Sequence, residues 1–442
     1  MTLLSRLKGA AIGAYLDTDR VRQAAAAARR RLTGARPVVH FHHDVADPWS
    51  YLALQAAVRL AELYPVDVKF HLVGPPAADV DPAPTLRAKY ALRDATELAQ
   101  HWDVELSAHR EPDPVSVRKA SQVLIRPRAD RDQLAVALEL GHALWQHDGK
   151  ALTAAMGTHG TEASGNIAPH LAAEYTAMRA RGFYQAASFA YEGAWYAGIE
   201  RLGYLEDRLV DELGVAPTRR ALEPRPATAR PPARIGGAGA RPSVEVWWSF
   251  RSPFSYLALS GLERLARELP IDLVWKPVLP MVTRGLAMPR IKRLYLVHDA
   301  HREAVRQGIP FGDLCDPLGC GVEHAMAIAH AAFAQGQGPA LLASIARGVW
   351  AEAKDLTSYV DLRELVERAG MDWADARAAI ADGGWKAWAA DHAADLNAAG
   401  LWGVPSYRVG DHVAWGQDRL DLLADRLRRH LAAPPAPPPS AA

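Results

Sequence analysis

Residues 47–73 and 252–278 align without a gap at a spacing of 205, and 12 of the 27 pairs are identical. The two stretches open DPWSYLAL and SPFSYLAL. The spacing holds at Tyr90/Tyr295, Asp94/Asp299 and Ala99/Ala304. Nearer the block ends it becomes 218, where GIERLGYLEDRL (198–209) meets GQDRLDLLADRL (416–427), so the second block carries 13 more residues in its middle. A period this long implies two copies of one domain rather than a solenoid of short repeats.

Composition sets the expected boundaries. Residues 1–36 are rich in Ala and Arg and favour a helix with a basic face, either solvated or docked. Residues 216–242 are dominated by Pro, Gly, Ala and Arg and lose apolar periodicity, as a linker does. Residues 432–442 read as a disordered proline-rich tail. This leaves repeat blocks at 37–215 and 243–431.

Each block reads alike. SVEVWWSF alternates as a strand, and Pro253 then falls at a first helical position with Ser252 as N-cap. FSYLALSGLERLARELP has a helical period, and IDLVWKPVL is a second strand. Strand, helix, strand gives a parallel pair with a crossover helix. Ala-rich helical runs follow at 322–335, 339–353, 358–369 and 373–397. The block closes with PSYRV, a Gly410-Asp411 turn, HVAW and a helix from Gln417. The expected fold class is α/β: two tandem thioredoxin-fold domains, each with a large all-helical insertion.

The formal net charge of +1 gives no global field for nucleic acid or an anionic membrane. No stretch approaches the roughly 20 apolar residues of a spanning helix, and the N-terminal apolar run does not read as a signal peptide. The two cysteines, Cys315 and Cys320, make no disulfide scaffold and suggest two free thiols in a reducing compartment. A cytoplasmic protein without nucleic-acid or membrane partners is expected. His42 and His43 should point to opposite faces of a strand. His298 and His301 lack a third ligand, so no metal site is expected.

SPFSYLAL, PRIKRLYLVHDAHR and GLWGVPSYRVGDHVAWGQDRL, in this order, resemble the 2-hydroxychromene-2-carboxylate isomerase and kappa-class glutathione transferase family, related to the disulfide-bond oxidoreductases. The resemblance covers nearly all of residues 243–431 and, more weakly, 37–215. It implies a glutathione-dependent isomerase working from the second block, with a small aromatic or electrophilic substrate. Alternatives are a kappa-type transferase or a non-catalytic thioredoxin-fold binding protein. Ser252 stands where redox relatives place the first Cys of Cys-x-x-Cys, so dithiol exchange from this position is excluded. The resemblance makes Ser252 the catalytic residue, its hydroxyl and the helix N-terminus holding a glutathione thiolate. It makes Pro405 a cis-proline that presents the Val404 backbone to the tripeptide. Gln417 and Asp418 would meet the γ-glutamyl end, and Lys292 an anionic group of glutathione. Each has a plainer reading: an N-cap, a strand-initiating proline, a first-turn acid, a surface lysine. Thr283 replaces a family Asn. Relatives pair as homodimers, so an intramolecular pseudo-dimer or a homodimer is expected.

The first block departs at each of these positions. Asp47 replaces Ser252, Ala187 replaces Pro405, Ile199-Glu200 replaces Gln417-Asp418 and Arg87 replaces Lys292. Asp47 is expected to cap its helix but to oppose a thiolate by charge repulsion. The first block therefore reads as a scaffold copy without a thiol site.

Overall fold

A computed structural model describes residues 13, 16, 21–224 and 241–432. From residue 21 onward these fall into two compact units, one of residues 21–224 with 289–293, the other of 241–288 with 294–432. The proline-rich end and most of the linker segment lie outside the described residues.

The first unit begins with helix α1 (21–33). Its basic face is docked, since Arg30 pairs with Glu192 at 2.6 Å and Glu212 at 2.9 Å. Then follow β1 (Val38–His43), α2 (Pro48–Leu63), β2 (Asp67–Leu72), α3 (Pro84–His101), α4 (Pro114–Leu124), α5 (Asp130–Trp145), α6 (Gly149–His159) and α7 (Ile167–Ala180). The hairpin β3 (Ser188–Tyr191) and β4 (Ala194–Ala197) and helix α8 (Leu202–Leu213) close the unit. The sheet order is β2-β1-β3-β4, with β1 and β2 parallel and the other pairs antiparallel. The described start of the segment read as a linker is packed: Ala221 and Leu222 are buried, and the Ala221 N–H donates to Glu206 at 2.7 Å. Burial of that carboxylate, which also accepts from Tyr64, ties 216–224 to the unit despite its loop-like composition.

The second unit repeats the order with one more helix before its hairpin: β5 (Ser243–Trp248), α9 (Pro253–Glu268), β6 (Asp272–Pro277), then α10 (Arg290–Gln307), α11 (Cys320–Ala334), α12 (Gly338–Ala351), α13 (Tyr359–Arg368), α14 (Trp373–Ala381) and α15 (Trp385–Ala398). It closes with β7 (Ser406–Val409), β8 (His412–Trp415) and α16 (Leu420–Ala432). The order β6-β5-β7-β8 matches the first sheet, with β5 and β6 parallel. The architecture is mixed α/β, with two four-stranded sheets each accompanied by helices.

The helix expected over 373–397 is two helices, α14 and α15. Asp382-Gly383-Gly384 interrupts it, where two glycines favour the unfolded backbone and the Asp382 side chain accepts from the Gly384 N–H at 3.1 Å. The last helix begins as a 3-10 turn over Gln417–Arg419 before α16. In the second unit β5, α9, α11, α12 and α13 share a single core that includes buried Trp248, Phe250, Leu262, Ile328, Ile345 and Leu365. That core fixes β5 and α9, and with them the turn at 249–252. No helix among the described residues is long and apolar enough to cross a membrane.

Candidate functional site

In an open α/β sheet the carboxyl ends of parallel strands are the usual place for a ligand. In the second unit that edge is built from three segments: the turn after β5, the turn after β6, and the entry to β7, which runs antiparallel to β5.

After β5 the chain turns through 249–252 into α9. Ser252 is the N-cap in extended conformation, with Pro253 at the first helical position. Its hydroxyl accepts from the Ser255 N–H at 3.1 Å and donates to the Val404 carbonyl at 3.2 Å. The turn is held from beneath by buried Ser255, whose hydroxyl accepts from the Ser249 N–H at 3.4 Å, and by Trp248 Nε1 donating to the Ser255 carbonyl at 2.8 Å. Ser252 itself is half-buried.

The entry to β7 is the segment Trp402-Gly403-Val404-Pro405, and the Val404–Pro405 peptide bond is cis. Pro405 is buried and Val404 half-buried. Ser406 Oγ donates to the Gly403 carbonyl at 2.8 Å, and the Gly416 N–H donates to the Pro405 carbonyl at 2.9 Å. Gly403 is required by packing: a Cβ there would lie 2.5 Å from the Trp415 indole nitrogen. The Trp402 and Trp415 rings are 4.6 Å apart, centre to centre.

At the start of the last helix Asp418 is half-buried and folds back over Gly416, whose φ of 112° and missing Cβ leave it room. Beneath it Tyr407 is fully buried, and its hydroxyl has no hydrogen-bond partner. Burial, and then the nearby Asp418 charge, push the Tyr407 phenol well up, so it stays protonated. Gln417 is turned inward. Its amide donates to Glu303 at 3.0 Å and accepts from Gln307 at 3.2 Å, so its side chain is committed to a buried network.

The turn after β6 holds Thr283, which is exposed, and Arg284, which sequence reasoning did not single out. Arg284 donates from Nε to the Leu279 carbonyl at 3.0 Å and from Nη2 to the Trp402 carbonyl at 2.8 Å. Lys292 is elsewhere. Residues 289–293 group with the first unit, and Lys292 Nζ donates to the Val80 carbonyl at 2.8 Å. Burial lowers its pKa to about 8. The structure thus brings Ser252, Val404 and Pro405 together, sets Asp418 and Gln417 just beyond β8, and groups Lys292 with the first unit.

The corresponding edge of the first unit is differently built. Asp47 precedes α2 but makes no capping bond with its side chain. One carboxylate oxygen reaches Arg87 at 3.3 Å and the other is buried without a partner. The cap expected there is thus displaced by an ion pair. Burial raises the Asp47 pKa against the pull of Arg87. Asp44, also buried, is pushed up to about 7 by desolvation and then by Asp47. Ala187, in place of Pro405, takes a positive φ of 54°.

Behind this edge lies a group of histidines that the sequence did not reveal. His42 and His43 do face opposite ways, but register places His71 of β2 beside His42. Their rings stack at 4.8 Å, and His40 Nδ1 lies 2.9 Å from His71 Nε2. Glu174 on α7 pairs with His71 at 2.8 Å. Among the described residues no group of three or more His, Cys, Asp or Glu side chains is arranged to hold a metal ion. Both cysteines are free. Cys315 is buried, and Cys320 is exposed as the first residue of α11 rather than in the loop before it.

Residues 243–428 match the family of DSBA-like thioredoxin domains, so the C-terminal half of the chain contains such a domain. Two curated relatives are similar over less than half of the chain but nearly all of their own length. The 2-hydroxychromene-2-carboxylate isomerase of Sphingobium xenophagum is 28% identical over 204 residues, covering 42% of this chain and 97% of that protein. The protein of the same name from Pseudomonas putida is 27% identical over 210 residues, covering 42% and 94%. Among solved structures, a 2-hydroxychromene-2-carboxylate isomerase is similar at 23% identity and a TM-score of 0.38, covering 42% of this chain and 95% of that one. The cytosolic disulfide reductase DsbM from Pseudomonas aeruginosa is similar at 21% identity and a TM-score of 0.32, covering 43% and 96%.

Proposed function

We propose that this protein is a glutathione-dependent isomerase of the 2-hydroxychromene-2-carboxylate isomerase type, working at the Ser252 edge of its second unit. The first unit is a duplicated scaffold whose own site is closed by the Asp47–Arg87 pair. The observation that carries the reading is the Ser252 hydroxyl, set at a helix N-terminus and aimed at the Val404 backbone. The names of the two curated relatives support the same class of reaction.

The donor set suits a thiol tripeptide. A hydroxyl and the unpartnered N–H groups of a first helical turn favour an anionic sulfur. The Val404 backbone offers a strand-like partner to a cysteinyl residue. Asp418 offers a carboxylate to an ammonium group. Lys292 Nζ is engaged with the Val80 carbonyl. When bound, glutathione would supply a nucleophilic thiolate that adds reversibly to an electrophilic carbon and is expelled after bond rotation. The chain's own task is to hold that charge and to orient the partner. Ser252 would turn its proton from the Val404 carbonyl to the sulfur, while the carbonyl is left to the peptide backbone.

The test is calorimetric titration of glutathione into wild type, Ser252→Ala and Asp418→Ala. It is paired with an absorbance assay of the cyclic 2-hydroxychromene carboxylate and its open-chain isomer. Binding by wild type, weakened in both variants, with an isomer as product is the expected result. A stable thioether conjugate as product would instead make the protein a transferase. Absence of glutathione binding, or isomerisation that proceeds equally without thiol, would sink the reading.

A further inference from the structure

Among the described residues, the cation in the turn after β6 has no counter-ion. Among the described residues the hydrogen-bond partners of Arg284 are two backbone carbonyls, Leu279 and Trp402, and no carboxylate lies within ion-pairing distance of it. Guanidinium has five N–H donors, so two carbonyl bonds leave most of its fork unspent and none of its charge balanced. A half-buried cation without an anion is costly, and proteins ordinarily pair it. Desolvation lowers the Arg284 pKa to about 10, which leaves it charged at neutral pH.

Its position is also specific. Arg284 ends a 3-10 turn, Met281–Arg284, whose exit at Gly285 takes a positive φ of 77°. It grips Trp402, two residues before Val404, the partner of Ser252. Both side chains therefore close on one short segment at the carboxyl edge of β5 and β6. The first unit has the opposite charge at the equivalent spacing: Asp79, already paired with Arg179 at 2.8 Å. The common scaffold thus has no need of an arginine here.

We infer that Arg284 receives the carboxylate of the ligand that enters beside Ser252, an assignment that rests on the site reading above. The carboxylate has two possible sources, the glycyl end of glutathione or an aromatic acid acting as electrophile. A planar guanidinium with three of its five donors unspent suits bidentate capture of either.

The experiment titrates wild type, Arg284→Met and Arg284→Lys with four probes: benzoate, benzamide, glutathione, and glutathione esterified at the glycyl carboxylate. The expected result is at least about tenfold tighter binding of one acid than of its neutral counterpart, the size of a charge-assisted bond. That preference is lost in Arg284→Met and partly kept in Arg284→Lys. Unchanged affinity of Arg284→Met for the neutral probes certifies that it is folded. The benzoate pair identifies an aromatic acid as the source, the glutathione pair the tripeptide. A benzoate preference that depends on Arg284 supports the assignment even where glutathione fails to bind, a failure that falls on the thiol reading alone. The assignment is overturned if wild type prefers neither acid. It is equally overturned if the preference survives in Arg284→Met, or if acids and neutral probes weaken together, which is the signature of a brace on Trp402.

Discussion

The Ser252 hydroxyl donates to the carbonyl oxygen of Val404, 152 residues further along the chain, at 3.2 Å, while accepting from the Ser255 N–H at 3.1 Å. One side chain thus caps a helix and touches the segment that opens β7. Ser252→Ala removes both bonds. Loss of an N-cap of this kind costs about 1 kcal/mol. Denaturant unfolding of the variant should show that loss, while glutathione binding falls by far more. Equal thiol pKa values for free and bound glutathione in wild type would remove the proposed role of the hydroxyl.

Gly403→Ala should damage the same region from the other side. The added Cβ meets the Trp415 indole at 2.5 Å, and overpacking of this kind costs roughly 1–3 kcal/mol. A lowered melting temperature and altered tryptophan emission would report it. A silent substitution would show that the Trp402–Trp415 pair yields easily.

The buried histidines of β1 predict acid lability. Burial holds His42 at about 2 and His43 at about 3, the former helped by His71, His40 and Arg181. Their folded pKa values lie below the unfolded value of 6.5, so the unfolded chain takes up protons first. The stability they confer is complete above pH 6.5 and falls as pH drops below it. By pH 5 the loss is on the order of 2 kcal/mol for each. Asp44 acts oppositely, because a folded pKa of about 7 against 3.8 makes it favour folding below pH 4 and lose that stability as pH rises to 7. Denaturant melts across pH 4–8 for wild type, His42→Phe and Asp44→Asn should separate the two slopes. Parallel curves for all three would contradict the assignment.

The cysteines should differ in reactivity. Burial, then Asp355 and Asp316, raise the Cys315 thiol to about 11, whereas Cys320 is exposed at the start of α11. A thiol-specific chromogenic reagent at pH 8 is expected to modify Cys320 promptly and Cys315 only after unfolding. Rapid modification of both would mean that the segment before α11 opens readily.

Much of this was legible in the sequence because it was local. The order of strands and helices followed from alternation and caps, and Ser252-Pro253 marked the start of α9 directly. The break between α14 and α15 is hidden because apolar periodicity continues across Gly383-Gly384. Asp47 was expected to cap its helix on residue type alone; the competing attraction came from Arg87, 40 residues away. His71 joined His42 only through strand register. Arg284 left no pattern, because an unpaired cation is recognised by what is missing around it, and a sequence does not record that. Lys292 was read from a motif, and its neighbours at Val80 came from another part of the chain.

The Trp402 and Trp415 rings, 4.6 Å apart and inclined at 54°, belong to the segments that enter β7 and close β8. Two indoles this close couple their optical transitions, and the split bands take a sign set by the handedness of the two transition dipoles. The chain therefore carries its own spectroscopic ruler at the proposed site. A ligand that rotates either ring by a few degrees would change the circular dichroism of that pair without any label being attached.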